Sequence, residues 1–302
     1  MEKNKSLLYG ITASFFFAFT FILNRSMNLS GSYWMWGASL RYIFMLPLLA
    51  VILPKKRWSC VLEEIKTAPV KWILWSTVGF GLFYAPLCLG SLYGESWFTA
   101  SCWQITIIAG ILLTPLFGKA IPLKNLLLSS LILIGIFLLM YRPGEMNGKE
   151  TVYSLLPILI AAICYPLGNR KMMQHCGNRL STLERVFGMT LCSMPFWLIL
   201  AVFSFAKVGL PGRGQVMQSM LVALFSGVMA TILFFKATDM VKHNHVQLAL
   251  VEATQCGEVL FTLLGGILFL NDPLPSVTGI LGIGLIVGGM VIGALSDRKL
   301  EE

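Results

Sequence analysis

The sequence predicts an all-α membrane protein with ten transmembrane helices arranged as two inverted five-helix repeats. Composition is the first observation behind this prediction: 56% of the 302 residues are hydrophobic and 12% are charged, whereas soluble domains carry about 25% charged residues. The second is a succession of apolar stretches, each near the roughly 20 residues that a membrane-spanning helix needs. The third is a similarity between the two halves of the chain.

Ten apolar stretches cover most of the chain, and the gaps between them are too short to hold a soluble domain. The first stretch is too long for the apolar core of a signal peptide, so we expect it to remain as a span. The predicted spans lie near 6–27, 33–53, 70–93, 96–117, 122–141, 152–173, 182–205, 216–238, 246–270 and 273–295.

The distribution of Lys and Arg predicts the orientation of the chain. If the N-terminus is inside, the segments facing the cytoplasm hold most of these residues, including Lys55, Lys56 and Arg57. Cytoplasmic loops are enriched in Lys and Arg, so we expect a multi-pass protein of the plasma (inner) membrane with both termini cytoplasmic. This topology and contact with the lipid bilayer explain the net charge of +9 without a nucleic-acid partner.

The two halves, 1–148 and 149–302, share features in the same order. The tetrapeptide NRSM ends the first span and NRKM ends the sixth, and an arginine follows early in the next span of each half. The distance from Gln104 to the proline that opens the fifth span equals the distance from Gln255 to the proline that opens the tenth. Because each half has an odd number of spans, the second half would enter the membrane inverted.

Inverted repeats are typical of secondary transporters, which bind solute near the midplane between the halves and alternate access by rocking. The chain is therefore predicted to be a transporter rather than an enzyme or a receptor. Ten helices already supply both halves, so we expect a monomer, with a homodimer as the alternative. In the last span, the pairs Gly284 and Gly288, and Gly289 and Gly293, form small-residue faces that suit helix packing within the monomer.

The segment from 233 to 293, LFFKATDMVKHNHVQLALVEATQCGEVLFTLLGGILFLNDPLPSVTGILGIGLIVGGMVIG, resembles the last three spans of ten-helix EamA-type drug/metabolite transporters. The resemblance implies export of small organic solutes, driven by a proton gradient or by the solute's own gradient, as in multidrug resistance efflux, amino-acid and metabolite transporters. It also implies a cavity lined mainly by spans one to four and six to nine. The family's L-G-E position reads Leu270-Asn271-Asp272 here; we interpret this as a loop change without consequence for the site.

Three polar residues in the ninth span, Glu252, Gln255 and Glu258, are spaced to share one face of a helix. Ionisable groups at bilayer depth mark proton or substrate pathways by default. A buried carboxyl binds a proton more readily than one in water, so a proton and an organic cation could compete for it. The alternative is an ion pair with a basic residue of a neighbouring span, and Lys236, Arg41 and Arg185 are available.

Gln104 is the repeat equivalent of Gln255, and the two amides could bind polar substrate atoms or only link helices. Trp103 and Tyr84 lie deep in their predicted spans. An aromatic face beside a carboxylate suits an organic cation; packing is the alternative. We therefore predict a substrate and proton site formed by Glu258, Glu252, Gln255, Gln104, Trp103 and Tyr84.

Four other charged residues, Arg41, Arg185, Glu184 and Lys236, are candidates for gate pairing or anion binding. Snorkelling to the interface is the alternative for each of them. If an arginine binds a substrate carboxylate, the solute is an amino acid or another metabolite, which moves by uniport in the simplest case. Otherwise the predicted substrates are organic cations or drug-like amines, exchanged for protons.

The sequence contains no hydrolase, zinc-protease or P-loop motif. The pair His243-x-His245 lacks further metal ligands nearby, and the seven cysteines form no C-x-x-C pair. We therefore predict a non-enzymatic protein without a metal or a cofactor.

Overall fold

The structure is a computed structural model that describes residues 2–118, 120–121, 123–141, 148–241, 247, 250–251 and 253–296. The secondary structure of these residues is helical throughout. Eleven helices are numbered here in chain order: α1 Glu2–Leu29, α2 Trp34–Ile52, α3 Lys55–Thr67, α4 Pro69–Gly90, α5 Ser96–Leu112, α6 Leu123–Met140, α7 Gly148–Cys176, α8 Thr182–Val208, α9 Arg213–Val241, α10 Cys256–Leu270 and α11 Val277–Ser296.

Six of these helices (α1, α2, α4, α7, α8 and α9) are long and apolar enough to cross a membrane over their described residues. Apolar stretches of α5, α6, α10 and α11 are shorter. Each of the ten lies within one of the predicted apolar stretches or overlaps it closely. The chain is therefore a multi-pass, all-helical membrane protein, as composition and span length indicate.

Helix α3 was not predicted, since its 13 residues fall in a gap between apolar stretches. It is amphipathic: Val61 is fully buried, while Lys55 and Lys56 are exposed. The ring of Trp58 lies 5.5 Å from that of Phe187 in α8, so the apolar side of α3 packs on the start of α8. We call the side of the bundle that carries α3, the end of α2 and the start of α1 the basic face.

Two membrane-length helices contain π-helical stretches, Thr77–Gly81 in α4 and Ala223–Ala230 in α9. Helix α5 is interrupted at Gln104, which separates Ser96–Trp103 from Ile105–Leu112. Helix α10 begins directly after Gln255. Such departures from α-helical geometry release backbone groups and are frequent at functional sites.

The core lies where α1, α2, α4, α8 and α9 converge. Helix α2 crosses α8, where the rings of Tyr42 and Trp197 stack with centroids 4.4 Å apart. Helices α4 and α7 cross at a close backbone contact, because a Cβ atom on Gly168 would lie 2.3 Å from the Cα of Gly79. This packing brings the middle of α1, α2, α4 and α9 within side-chain reach of one another.

Helices α6 and α11 form a separate pair through backbone contact at two glycines. A Cβ atom on Gly282 would lie 2.5 Å from the carbonyl oxygen of Gly135, and the reverse distance is 2.6 Å. Among the described residues, no atom lies within 4 Å of a Cβ built on Gly284 or Gly288. The prediction of packing within the monomer is therefore wrong for Gly284 and Gly288 but holds for Gly289, where a Cβ atom would lie 3.1 Å from the Cβ of Leu131 in α6.

Replacement of Gly282 by alanine is expected to destabilise the protein, because the added methyl group meets backbone and not a movable side chain. Overpacking of this kind costs about 1–3 kcal/mol. The matched control is Gly284→Ala, which adds the same methyl group to open space on the same helix. Thermal unfolding in detergent measures both, and equal melting temperatures for the two variants would contradict the packing described here.

Candidate functional site

Arg41 is buried near the middle of α2 with only 6% of its surface exposed. Its Nη2 atom donates a hydrogen bond to the Ser226 hydroxyl at 3.2 Å, and its Cζ atom lies 4.0 Å from the centroid of the Tyr84 ring. Within the described part of the chain, Nε and Nη1 have no hydrogen-bond partner. Buried donors of this kind raise the free energy of the site until a partner is present.

Neighbouring helices hold the two groups that contact Arg41. Ser226 lies in the π-helical stretch of α9, and its hydroxyl is 2.5 Å from that of Thr20 in α1. The Tyr84 hydroxyl donates to Asn24 Oδ1 at 3.2 Å. These bonds fix the Tyr84 ring with its face toward the guanidinium, where cation–π attraction is favourable.

Glu258 is the buried acid of the site, with 7% of its surface exposed. It lies in the first turn of α10, where the helix dipole favours negative charge. The Gln104 side chain, whose amide nitrogen donates to the Ala100 carbonyl at 3.2 Å, and the positive charge of Arg41 both act on the Glu258 carboxyl group. The carboxyl group therefore lies between the interruption of α5 and the start of α10.

Three aromatic rings stand beside these charges. The ring centroids of Phe83 and Trp103 are 5.0 Å apart, those of Phe83 and Tyr165 are 4.8 Å apart, and those of Trp103 and Tyr165 are 5.5 Å apart. Tyr165 lies within electrostatic range of both Glu258 and Arg41. We call Phe83, Trp103 and Tyr165 the aromatic cluster; it can supply apolar and π contacts to an organic solute.

The structure thus brings together five of the residues singled out in the sequence. Arg41, Tyr84, Trp103, Gln104 and Glu258 come from four helices and face one region. We call this region, with Ser226 and the aromatic cluster, the central cluster. It is polar at its centre and surrounded by apolar helices.

Two other candidates, Glu184 and Lys236, lie at the basic face and not in the central cluster. Glu184 forms a capping box with Ser181 at the start of α8 and an ion pair with Arg57 of α3. Lys236 lies over the ring of Tyr9, with its Nζ atom 4.8 Å from the centroid. These contacts link helices at the basic face and keep both charges out of the central cluster.

For the last three candidates, Arg185, Gln255 and Glu252, no hydrogen bond or ion pair of the side chain is described. Arg185 is half-buried and lies within electrostatic range of Tyr165. The Nε2 atom of Gln255 is buried without a hydrogen-bond partner among the described residues. Glu252, like His243 and His245, lies outside the described residues, so its predicted role at the site stays a prediction.

A cavity of about 440 Å³ opens near the basic face between α2, α8 and α9. Its lining includes Leu49, Val186, Thr231, Phe235 and Asp239. Cavities of about 300–1,000 Å³ hold small organic ligands. The hydroxyl of Thr231 donates to the backbone carbonyl of Ser226 at 3.4 Å, so this part of the lining is next to the central cluster.

On the opposite face, the free space near the cluster is much smaller. The gap lined by Asn24, Trp34, Gly37, Cys88 and Gln215, among others, has a volume of about 10 Å³. One water molecule needs about 10–15 Å³ of such space, so no organic solute can pass there. Gln215 closes this side further by donating to the Tyr33 carbonyl at 2.7 Å.

Asp272 is a residue whose importance the sequence interpretation missed. Its carboxylate is buried and accepts hydrogen bonds from the Ser96 backbone N–H at 3.1 Å and the Ser96 hydroxyl at 2.6 Å. It also forms an ion pair with Arg25 at 3.4 Å. The segment Leu270-Asn271-Asp272 is a helix end and loop, as expected, but its carboxylate has a structural role that was not predicted, because it joins the ends of α1 and α10 to the start of α5.

A signal for this contact was present in the sequence. Arg25 sits at the end of the first span and Asp272 at the end of the ninth, so both are charges at the same predicted depth. Spans that run in the same direction place such residues at the same face. Distance along the chain concealed the pairing.

An all-helical bundle with membrane-length helices around a buried charged cluster defines the class of multi-pass membrane proteins that handle solutes inside the bilayer. Residues 4–299 match the EmrE family model, described as "Putative multidrug resistance efflux transporter". The chain belongs to this family of membrane transporters. The resemblance that the last three spans indicate is thereby confirmed over nearly the whole length.

Two relatives and one solved structure are similar over most of the chain. "Uncharacterized protein YjlA" of Bacillus subtilis (strain 168) is 48% identical over 97% of this chain and 95% of its own length. "Uncharacterized 42.1 kDa protein in intracellular alkaline protease 3'region" of Shouchella clausii is 39% identical over 84% and 70%. One crystal structure superposes with a TM-score of 0.60 at 15% identity, covering 98% of this chain and 99% of that one, which supports the fold alone.

Asp272→Asn is expected to lower the stability of the protein by about 1.5–3 kcal/mol, the usual contribution of hydrogen bonds to a charged group. The asparagine side chain keeps the shape but loses the charge that Arg25 and Ser96 bind. Thermal unfolding in detergent measures the change. Glu63→Gln, which neutralises an exposed carboxylate on α3, is the control and should melt as the wild type does; equal melting of all three proteins would refute the role given to Asp272.

Proposed function

We propose that the chain is a secondary-active exporter of small organic solutes, in which Glu258 exchanges a proton for an organic cation or drug-like amine. The supporting observation is the one buried carboxyl group that the described residues supply to the central cluster, placed beside an amide and three aromatic rings. A proton and an ammonium group both neutralise this carboxylate. Their binding is therefore competitive, which is the minimum requirement for proton-coupled exchange.

Two inverted five-helix repeats, 1–148 and 149–302, would give the protein its ten spans. Matched helix pairs support this arrangement: α1 packs antiparallel to α9 as α7 packs antiparallel to α4, and α1 runs parallel to α10 as α7 runs parallel to α5. The π-helical stretches and the two glutamines at helix interruptions also occur at equivalent places. Transporters with inverted repeats bind solute where such interrupted helices meet.

Alternating access is supported by the unequal free space on the two faces. The cavity near the basic face can admit an organic solute, whereas the gap described on the opposite face is too small for one, and Asp272 and Gln215 join helix ends there. If both termini are cytoplasmic, as the charge distribution indicates, the structure corresponds to an inward-facing state of a plasma-membrane exporter. One chain supplies the whole central cluster, so the proposed unit is a monomer, with a homodimer as the alternative.

The second candidate function is export of amino acids or other metabolites, by uniport in its simplest form. The two unpartnered donors of Arg41 favour it, because a carboxylate could bind there. Glu258 would then have a structural role, and solute movement would not depend on protons.

Replacing Glu258 by glutamine is expected to reduce proton flux driven by a phenylethylamine gradient to the background of empty liposomes. The variant keeps hydrogen-bonding capacity toward Gln104 but cannot exchange a proton. Proteoliposomes containing a pH-sensitive dye measure the flux, with the exposed Glu63→Gln as the matched control. Glu252→Gln, assayed in parallel, tests the second predicted acid.

Two results would decide against the proposal. Undiminished coupling in the Glu258→Gln variant would exclude this carboxyl group as the proton site. Movement of phenylalanine without proton flux, stopped by Arg41→Ala, would favour the second candidate function.

A further inference from the structure

Arg41 forms no ion pair with a described residue, in contrast to three other arginines of the chain. Arg25, Arg57 and Arg179 each bind a carboxylate of the same chain. Arg41 is more deeply buried than any of them, yet none of its nitrogen atoms lies within 4.0 Å of a described carboxylate oxygen. Burying a guanidinium without an acceptor or a counter-charge is unfavourable, so its surroundings are suited to a partner that the described residues do not supply.

The groups that touch Arg41 are neutral and already engaged. Ser226 accepts one N–H and shares a hydrogen bond with Thr20. Tyr84 presents its ring face and directs its hydroxyl to Asn24. The Tyr84 hydroxyl is close enough to interact with the guanidinium, but Nε and Nη1 have no hydrogen-bond partner of good geometry among the described residues, and neither neighbour carries negative charge.

The described charges of the central cluster are one cation, Arg41, and one acid, Glu258. With Glu258 protonated, the cluster has a net charge of +1, and it keeps that charge when a simple ammonium group binds to ionised Glu258. A solute that carries a carboxylate as well as the ammonium group brings the net charge to zero. Uncompensated charge inside a bilayer is disfavoured, so electrostatics favours the solute with both groups.

We propose that the transported solute is amphoteric, with a carboxylate or similar oxyanion bound at Nε and Nη1 of Arg41 and an ammonium group beside Glu258. Its apolar part would pack on the aromatic cluster of Phe83, Trp103 and Tyr165. The inference rests on the proposed exchange at Glu258 and adds a second recognition point to it. The ammonium group displaces the proton of Glu258, while the anionic group fills the hydrogen-bonding capacity of Arg41.

A site built around buried donors rejects solutes that leave those donors unpaired. Three probes with the same phenyl ring separate the possibilities: phenylethylamine has only the amine, 3-phenylpropionate only the carboxylate, and phenylalanine both. Binding to the purified full-length protein in detergent is measured by isothermal titration calorimetry. We expect phenylalanine to bind roughly tenfold or more tightly than either of the others, the scale of one charge-assisted contact.

Substitutions of Arg41 test whether this residue causes the difference in affinity between the probes. Arg41→Gln should remove the advantage of phenylalanine over phenylethylamine, and Arg41→Lys should keep part of it. Arg213→Gln makes the same chemical change at an exposed position and should leave all three affinities unchanged. If Arg41→Gln fails to fold, the comparison of the three probes on wild-type protein still decides the question.

Equal binding of phenylalanine and phenylethylamine to the wild type would overturn the inference. If Glu258-dependent proton flux with phenylethylamine persisted in that case, the proposed proton exchange at Glu258 would be retained, and only anion binding at Arg41 would be refuted. An equal loss of affinity for both probes in Arg41→Gln would also overturn it, since that pattern indicates general damage to the site. Loss of proton flux together with absence of any binding would overturn both proposals.

Discussion

Two opposite charges buried among apolar helices are the constraint on which the rest of the structure depends. Arg41 and Glu258 are almost fully shielded from solvent, and a bilayer offers no water to hydrate them. The chain responds with irregular backbone at the same depth: a π-helical stretch presents Ser226 to Arg41, and the interruption at Gln104 presents an amide to Glu258. Irregular backbone inside a membrane is tolerated only where protein or a cavity surrounds it.

The charges at the helix ends contrast with those at the centre. Asp272 is satisfied by Ser96 and Arg25, and Glu184 by its capping box and Arg57. These contacts tie helices together. Arg41 differs from them, because its buried Nε and Nη1 atoms have no hydrogen-bond partner among the described residues, so hydrogen-bonding capacity for a ligand lies at the centre, where the proposed solute would bind.

Much of the fold could be predicted from the sequence because span length and apolarity are local properties. The deep polar residues were also recognisable, and the structure places Arg41, Tyr84, Trp103, Gln104 and Glu258 in one region. Their roles stay proposals, as does the inverted arrangement of the halves.

The features that could not be predicted are contacts between distant segments, a short charged helix, and the rotation of one helix against another. The hydrogen bonds from Ser96 to Asp272 join residues far apart in the chain, and the equal predicted depth of Arg25 and Asp272 points to their ion pair but not to Ser96. Helix α3 is too short and too charged for a span-length criterion. The choice of Gly282 over Gly284 follows from the rotation of α11 against α6, and small-residue spacing alone does not determine that rotation.

The central claim is that Glu258 gives up a proton when the solute binds. Titration calorimetry in buffers of different ionisation enthalpy measures this directly on purified protein, with the tightest-binding of the three phenyl probes. The account predicts release of close to one proton for each solute bound by the wild type, and no release in Glu258→Gln. Proton release that persists in the variant, or solute binding to the wild type without any release, would contradict it.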